Sequence, residues 1–347
     1  MTKSLEGDLA PGAPHAVDRA RGALQGLALG DALGMPSQTL TRQEILDRYG
    51  VIVDFVAPFD DHPVSHGLAA AQVTDDTEQA LLLANRLIAS PERFDADAWA
   101  RDLLAWEADV RERGLRDLLG PSTKAALTSL LAGTPASETG RKGTTNGAAM
   151  RIAPVGIATP CDELSALVAR VAETCQVTHN TGEAIAGAAA VAAMVSAGVD
   201  GSDWRGAIPQ AMQAARLGQA EGAREGVRDM ADRIEAALKI GAGDPGTIAD
   251  RIGTSVASYE SVPAAFAVVA AADGDAWRAG CLAANLGDDT DTIGAIAGAI
   301  CGACSGAAAM PADKVARLRA ANTLGLDGSA EGLLALRTRS AQHGSAE

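Results

Sequence analysis

Aromatic residues are scarce: Phe, Trp and Tyr make up 3% of the 347 residues, which leaves few flat surfaces for stacking nucleobases. Basic residues are also in deficit, with 29 Lys and Arg against 44 Asp and Glu and a formal charge of −15. Proteins that grip a nucleic-acid backbone concentrate Lys and Arg, so this balance argues against such a partner. It leaves open a small phosphate ester held by main-chain amides or metal ions. Cysteine is sparse and odd in number, at Cys161, Cys175, Cys281, Cys301 and Cys304. That pattern argues against a disulfide framework and predicts reduced thiols in a cytoplasmic protein. The first 15 residues have no apolar stretch of signal-peptide length and read as a disordered lead-in. One uncharged run, 293–310, reaches the length of a membrane-crossing helix, and Gly294, Gly298, Gly302 and Gly306 repeat at every fourth position. Yet the run is mostly Gly and Ala, and Asp288, Asp289 and Asp291 crowd its start. It reads as a central helix whose glycine face lets a neighbour approach closely, and no membrane partner is expected. The Cys301-x-x-Cys304 pair inside it has no second pair to complete a zinc site, and reads as two small buried residues.

What the chain does have is aliphatic residues: hydrophobic content is 47%. A chain of about 300 residues buries roughly 75% of its unfolded surface and needs no staple. Apolar periodicity predicts helices over 17–33, 74–88, 95–112, 122–131, 161–174, 182–196, 204–217, 225–240, 259–271, 276–285, 293–309 and 313–321. Only 51–59 reads as strand or extended loop. The expectation is an all-α fold, a single helical domain over residues 16–340.

Two motif resemblances fail on context. Gly241-Ala-Gly-Asp-Pro-Gly246 matches G-x-G-x-x-G without the strand–helix setting of a dinucleotide site, and reads as a loop. Asp289-Thr-Asp-Thr-Ile-Gly294 starts like a calcium loop, but Ile300 stands where the closing Glu belongs. Two acidic strings remain, Thr74-Asp75-Asp76-Thr77-Glu78 and Asp288-Asp289-Thr290-Asp291-Thr292, each opening an Ala-rich helix. Either one alone would serve as a helix cap. Each nevertheless offers more oxygens than a cap uses, before helices where unpaired carboxylates are costly. Facing each other, they would suit hard divalent cations such as Mg²⁺ or Mn²⁺. Three further segments read either as ordinary connections or as site loops: Asp31 beside Gly30, the small-residue stretch 143–151, and His179 ahead of the 182–196 helix.

The succession Gly30-Asp31-Ala-Leu-Gly34, Thr74-Asp75-Asp76-Thr77, Asn146-Gly147-x-x-Met150-Arg151-x-x-Pro154-x-Gly156, Thr178-His179 and Gly287-Asp288-Asp289-Thr290-Asp291-Thr292-Ile293 resembles the ADP-ribosylglycohydrolases over about residues 20–308. The resemblance implies an orthogonal all-α bundle with a binuclear Mg²⁺ or Mn²⁺ centre in a cleft. By motif position, Thr74, Asp75, Asp76, Asp289, Asp291 and Thr292 would hold two metal ions, and Asp75 and Asp76 would be catalytic. Asp31, Gln38, Asn146, Gly147, Ala148, Met150 and His179 would face the substrate. Two departures stand out. Gln38 occupies the place of a usual Glu and cannot transfer a proton at neutral pH. Asp288 replaces a small uncharged residue and is expected to add charge beside the metals.

The implied activity is metal-dependent hydrolysis of a glycosidic bond at the ribose anomeric carbon, with an ADP-ribosylated protein or small molecule as substrate. The alternatives are an N-ribosyl hydrolase acting on a nucleoside or small ribosylated metabolite, and a silent member that binds metal or ADP-ribose without turnover.

Overall fold

The computed structural model describes residues 13–115, 119–223, 228–240 and 244–344. Among them the chain forms eighteen α-helices, and its only β pairings are two isolated bridges, Thr145 with Ala257 and Thr181 with Ala223. The first nine are α1 (Ala13–Gly34), α2 (Arg42–Tyr49), α3 (Asp75–Ala89), α4 (Ala96–Glu112), α5 (Pro121–Leu131), α6 (Ala136–Thr139), α7 (Gly147–Met150), α8 (Ala153–Ala158) and α9 (Leu164–Cys175). The others are α10 (Gly182–Val199), α11 (Trp204–Gly218), α12 (Met230–Ile240), α13 (Pro245–Ile252), α14 (Ser258–Ala272), α15 (Ala276–Ala283), α16 (Thr290–Ser305), α17 (Ala312–Ala321) and α18 (Leu326–Gly344).

The helix pair α1 and α16 sets the position of everything else. The glycine face expected on α16 is present, and α1 answers it with Gly22, Gly26, Gly30 and Gly34. A Cβ added at Gly26 would lie 2.1 Å from the Gly298 carbonyl oxygen, and one at Gly298 would lie 2.0 Å from that of Gly26. Gly22 meets Gly302 and Gly30 meets Gly294 in the same way. The helices therefore run antiparallel with their main chains in contact, as only glycine permits. This brings the C-terminal end of α1, carrying Asp31, against the N-terminal end of α16, carrying Asp291.

Around this pair, α10 lies wholly buried. Among the described residues α10 is also the one helix long and apolar enough to cross a membrane; the uncharged run 293–310 belongs to α16 only as far as Ser305, where Gly306 at φ +87° ends that 16-residue helix short of the expected 309. Cys301 and Cys304 are buried in α16 as small core residues, and burial raises the Cys304 thiol to about 12.

Several expectations are corrected. Of the two readings of 51–59 the extended loop holds and the strand does not: Asn285 accepts from the Ile52 amide (2.9 Å) and donates to its carbonyl (2.8 Å), so a side chain takes the bonds a ladder would supply. Two unpredicted helices start on caps: Thr41 and Glu44 form a reciprocal capping box on α2, and Asp244 accepts from the Gly246 and Thr247 amides on α13. The Gly-rich stretch 241–246 is thus partly helical, with 241–243 outside the described residues. The expected start of the 225–240 helix also falls outside them; α12 begins at Met230. Of the expected lead-in, residues 1–12 lie outside the described residues and 13–15 already belong to α1.

Candidate functional site

The N-termini of α3 and α16 face each other across a cavity of about 170 Å³ whose wall includes Gln38, Asp75, Asp76, Thr145, Asn146, Gly147, Met150, Asp289, Asp291 and Thr292. The wall contains no Lys, Arg or His. Four carboxylates and two helix N-termini thus share one small space, where the helix ends favour negative charge and the carboxylates repel one another. Burial first, and then the neighbouring carboxylates, raise Asp75, Asp76 and Asp291 well above the ordinary range. Burial holds Asp289 up at about 6, against the lowering effect of hydrogen bonds from Asn146 and Thr292.

Each side chain is set by local chemistry. Thr74 caps α3, accepting from the Asp76 amide at 3.4 Å, and its hydroxyl donates to Asp31 Oδ1 (2.8 Å). Asp75 Oδ2 accepts from Gln79 Nε2 at 3.1 Å, one helical turn on. Glu78, from the same acidic string, turns outward to Arg113 (2.7 Å) and the Trp106 indole (2.8 Å). Asp289 makes no cap bond on α16; its Oδ2 accepts from Asn146 Nδ2, which also donates to Ser261 Oγ (2.9 Å). Both protons of that amide are occupied, so Asn146 anchors Asp289 and offers no free N–H to a ligand.

Gln38 lines the cavity with a fixed orientation. Ser65 Oγ gives its single proton to the Met35 carbonyl (2.7 Å), so toward Gln38 it only accepts, from Nε2 at 2.9 Å. The Gln38 carbonyl oxygen is left as the free end of the amide. The loop carrying Ser65 is shaped by buried His62, whose Nδ1 accepts from the Ser65 (2.8 Å) and Val64 (3.2 Å) amides; burial pulls His62 down to about 4.

Three residues expected to face the substrate do not line the cavity. Asp31 is fully buried and spends both oxygens on Thr74 and Thr77, accepting from both main-chain amides and both hydroxyls. It anchors the start of α3 to α1. Ala148 is buried and absent from the cavity wall. His179 lies beneath the 143–147 loop, with Nε2 3.0 Å from Thr145 Oγ1 and Nδ1 2.7 Å from Thr178 Oγ1. Its ring also explains Gly147: a Cβ there would lie 2.8 Å from His179 Cε1, so the missing side chain makes room for the histidine. Asp288 is exposed beside the site, and its charge helps to raise the Asp289 carboxyl. A φ of +57° turns the Asp288 side chain toward the Thr254 hydroxyl (3.2 Å). Thr145, Thr39, Val64 and Thr123 line the cavity and were not picked out in sequence. Of these, only Thr145 carried a signal, as a hydroxyl inside the small-residue stretch.

The donor set fits a hard divalent cation. Asp76 Oδ1 is a buried carboxylate oxygen without a hydrogen-bond partner, next to other carboxylates and with no basic side chain on the wall. Among the described residues no three His, Cys, Asp or Glu side chains form a ready-made cage. A set of carboxylate oxygens completed by threonine, water and substrate is the kind Mg²⁺ accepts.

A family model described as ADP-ribosylglycohydrolase matches residues 13–343. The chain is 36% identical over 313 residues to the uncharacterized protein YegU of Escherichia coli (strain K12), covering 88% of this chain and 93% of that protein. It is 30% identical over 319 residues to the ADP-ribosylarginine hydrolase Tri1 of Pseudomonas putida (strain GB-1), covering 88% of this chain and 75% of that one. A solved structure described as an ADP-ribosylglycohydrolase-related protein complex shares the fold, with a TM-score of 0.69 at 24% identity over 93% of this chain and 99% of that one.

Proposed function

The chain belongs to the ADP-ribosylglycohydrolase family and is a glycosidase, and from that premise we propose that it uses two Mg²⁺ or Mn²⁺ ions to cleave the bond at the ribose anomeric carbon of an ADP-ribosylated substrate. The observation that carries this reading is the unpartnered Asp76 Oδ1 among the buried carboxylates of the two helix N-termini. Asp75, Asp76, Asp289, Asp291 and Thr292 from the wall, with Thr74 behind it, would hold the ions. Bound there, divalent cations hold sugar hydroxyls and lower the pKa of water.

The protein supplies orientation and proton handling. At about 170 Å³ the cavity is smaller than the roughly 300–1,000 Å³ of drug-sized ligand pockets. It suits a ribose, with the rest of an ADP-ribosyl group extending outward. Gln38 presents a neutral acceptor to that sugar. Asp75 has one oxygen held by Gln79 and the other directed to the cavity. It is the group placed to take a proton from the attacking water as the anomeric carbon develops oxocarbenium character. The relative named as an ADP-ribosylarginine hydrolase supports an arginine-linked substrate.

The test is a product screen by mass spectrometry, with and without Mg²⁺ or Mn²⁺, on ADP-ribosyl-arginine, ADP-ribosyl-serine and a panel of nucleosides. Metal-dependent release of ADP-ribose supports the proposal. Release of ribose from nucleosides alone moves the protein to the N-ribosyl hydrolases. Binding without release makes it a silent member.

A further inference from the structure

Arg151 follows α7 and is almost fully buried, its guanidinium 5.6 Å over the Trp99 ring. It lies outside the cavity wall, yet two hydrogen-bond chains leave it and both end there. On one side NH1 donates to Gln79 Oε1 at 2.7 Å, and Gln79 Nε2 donates to Asp75 Oδ2 at 3.1 Å. On the other, NH2 donates to Thr178 Oγ1 at 2.5 Å; Thr178 Oγ1 meets His179 Nδ1 at 2.7 Å, and His179 Nε2 meets Thr145 Oγ1 at 3.0 Å.

A guanidinium has donors only, and that fact sets the direction of every bond downstream. The Gln79 amide must turn its oxygen to Arg151 and its NH₂ to Asp75. Thr178 accepts from Arg151, and its own proton is buried with no acceptor among the described residues except His179 Nδ1. The imidazole, held neutral by its burial and by the neighbouring cation, therefore carries its proton on Nε2 and donates to Thr145. Thr145 Oγ1 accepts that bond, so its hydroxyl proton is released toward the cavity that it lines.

We propose that Arg151 is the positioning residue for both walls of the site: through Gln79 it fixes which oxygen Asp75 presents, and through Thr178 and His179 it makes Thr145 a directed hydroxyl donor to an acceptor oxygen of the substrate. His179 acts through Thr145 and touches no ligand. The Asp75 arm serves the chemical step and the Thr145 arm serves binding. This kinetic division rests on the glycosidase reading above, whereas the direction of the bonds does not.

The first measurement is long-range ¹H–¹⁵N correlation NMR on the histidine-labelled full chain without substrate, with His179 assigned by its loss in His179→Gln. The Nε2–H tautomer is expected in the wild type. Thr178→Val removes the donor to Nδ1 and should shift His179 away from that single tautomer, whereas Gln79→Leu should leave its signals in place. With an ADP-ribosyl-arginine peptide, Thr178→Val should raise KM about ten-fold with kcat changed less than two-fold. Gln79→Leu should lower kcat about ten-fold at nearly constant KM. Arg151→Lys should move both constants, because an ammonium cannot reproduce the planar fork. An Nδ1–H tautomer in the wild type would overturn the relay, as would identical kcat and KM changes in the two single-arm variants. A wild type that leaves the peptide intact while showing the Nε2–H tautomer refutes the substrate assignment and leaves the relay standing.

Discussion

Thr77 Oγ1 donates to Asp31 Oδ2 at 2.5 Å, across 46 residues of sequence, while the Thr77 amide reaches the same oxygen at 3.1 Å. That pair joins the last turn of α1 to the first turn of α3. Because α1 is locked to α16 by its glycines, the single carboxylate of Asp31 passes the position of α16 on to α3. The two acidic strings face each other for this reason. Asp31 is structural, and its negative charge at the N-terminus of α3 is favoured by the amides that end there.

In the proposed function Asp291 supplies a cation-binding oxygen, and its neighbours Asp289, Asp31 and Asp75 repel its charge; Asp291→Asn would remove both. Cation content measured by plasma emission should fall by at least one ion per chain, and kcat should drop by roughly 10²-fold or more, the scale of losing one preorganised electrostatic contact. In EDTA the variant should melt higher than the wild type at pH 8, since burial and neighbouring carboxylates oppose ionisation of Asp291. Full cation content with an unchanged rate would remove Asp291 from the site.

Stability of the cation-free protein should fall as pH rises. Asp31 and Asp289 are held at about 6 in the folded chain, above the ordinary value of 3.8 for the same groups. The folded state thus binds protons more tightly than the unfolded one. The stabilisation is complete below pH 3.8 and is lost as pH rises through about 6. Melting in EDTA should accordingly occur at lower temperature at pH 8 than at pH 5, and millimolar Mg²⁺ should reverse the order. A flat pH profile in EDTA would contradict the carboxylate cluster.

Gly298→Ala places a Cβ 2.0 Å from the Gly26 carbonyl oxygen, where neither main chain can yield without moving a helix. The cost should be about 3 kcal/mol or more, at the upper end of overpacking effects. Gly328→Ala in α18 has open space around its Cβ and should stabilise by up to about 1 kcal/mol through helix propensity. Urea unfolding of both variants compares them directly; equal midpoints would show that the contact between α1 and α16 is looser than described.

Gln38→Glu replaces an NH₂ donor with an acceptor opposite Ser65 Oγ, whose proton is committed to Met35. Two acceptors then face each other in a buried place, a loss of about 1–3 kcal/mol. Thermal melts should show a larger loss at pH 8 than at pH 5, because a protonated Glu restores a donor. Turnover of the native substrate should slow as a further charge joins the acidic wall. Equal losses at both pH values would mean that Ser65 swings freely.

Much of the fold was legible because it is periodic. Apolar spacing marked most of the long helices, and the four-residue glycine period of α16 announced a close neighbour. The neighbour itself carries the same period, in Gly22, Gly26, Gly30 and Gly34, but there Gly30 and Gly34 also belong to the Gly-Asp-x-x-Gly motif, which masks the period. The two acidic strings were visible as an excess of oxygens over what capping needs. Side-chain direction was not visible, since partners far along the chain decide it. Asp31 turns to Thr77 and His179 is held between Thr178 and Thr145. Asp288 is swung outward by a left-handed backbone that continues from Gly287, also at positive φ; the glycine marks a turn in the sequence but not that Asp288 shares its conformation. Arg151 stands inside a recognisable motif, yet its reach to Gln79, 72 residues away, follows only from the packing of α7 against α3 and α10.

The contact between α1 and α16 resembles a machinist's gauge block: its thickness is set by two bare main chains, with no side chain between them to swell, rotate or be exchanged. Ordinary drift in the surrounding aliphatic core changes shapes and volumes but leaves this spacing alone. The separation of the two acidic walls is accordingly buffered against most substitutions elsewhere. Pocket variants that spare these glycines, the Asp31–Thr77 link and Arg151 leave that separation in place.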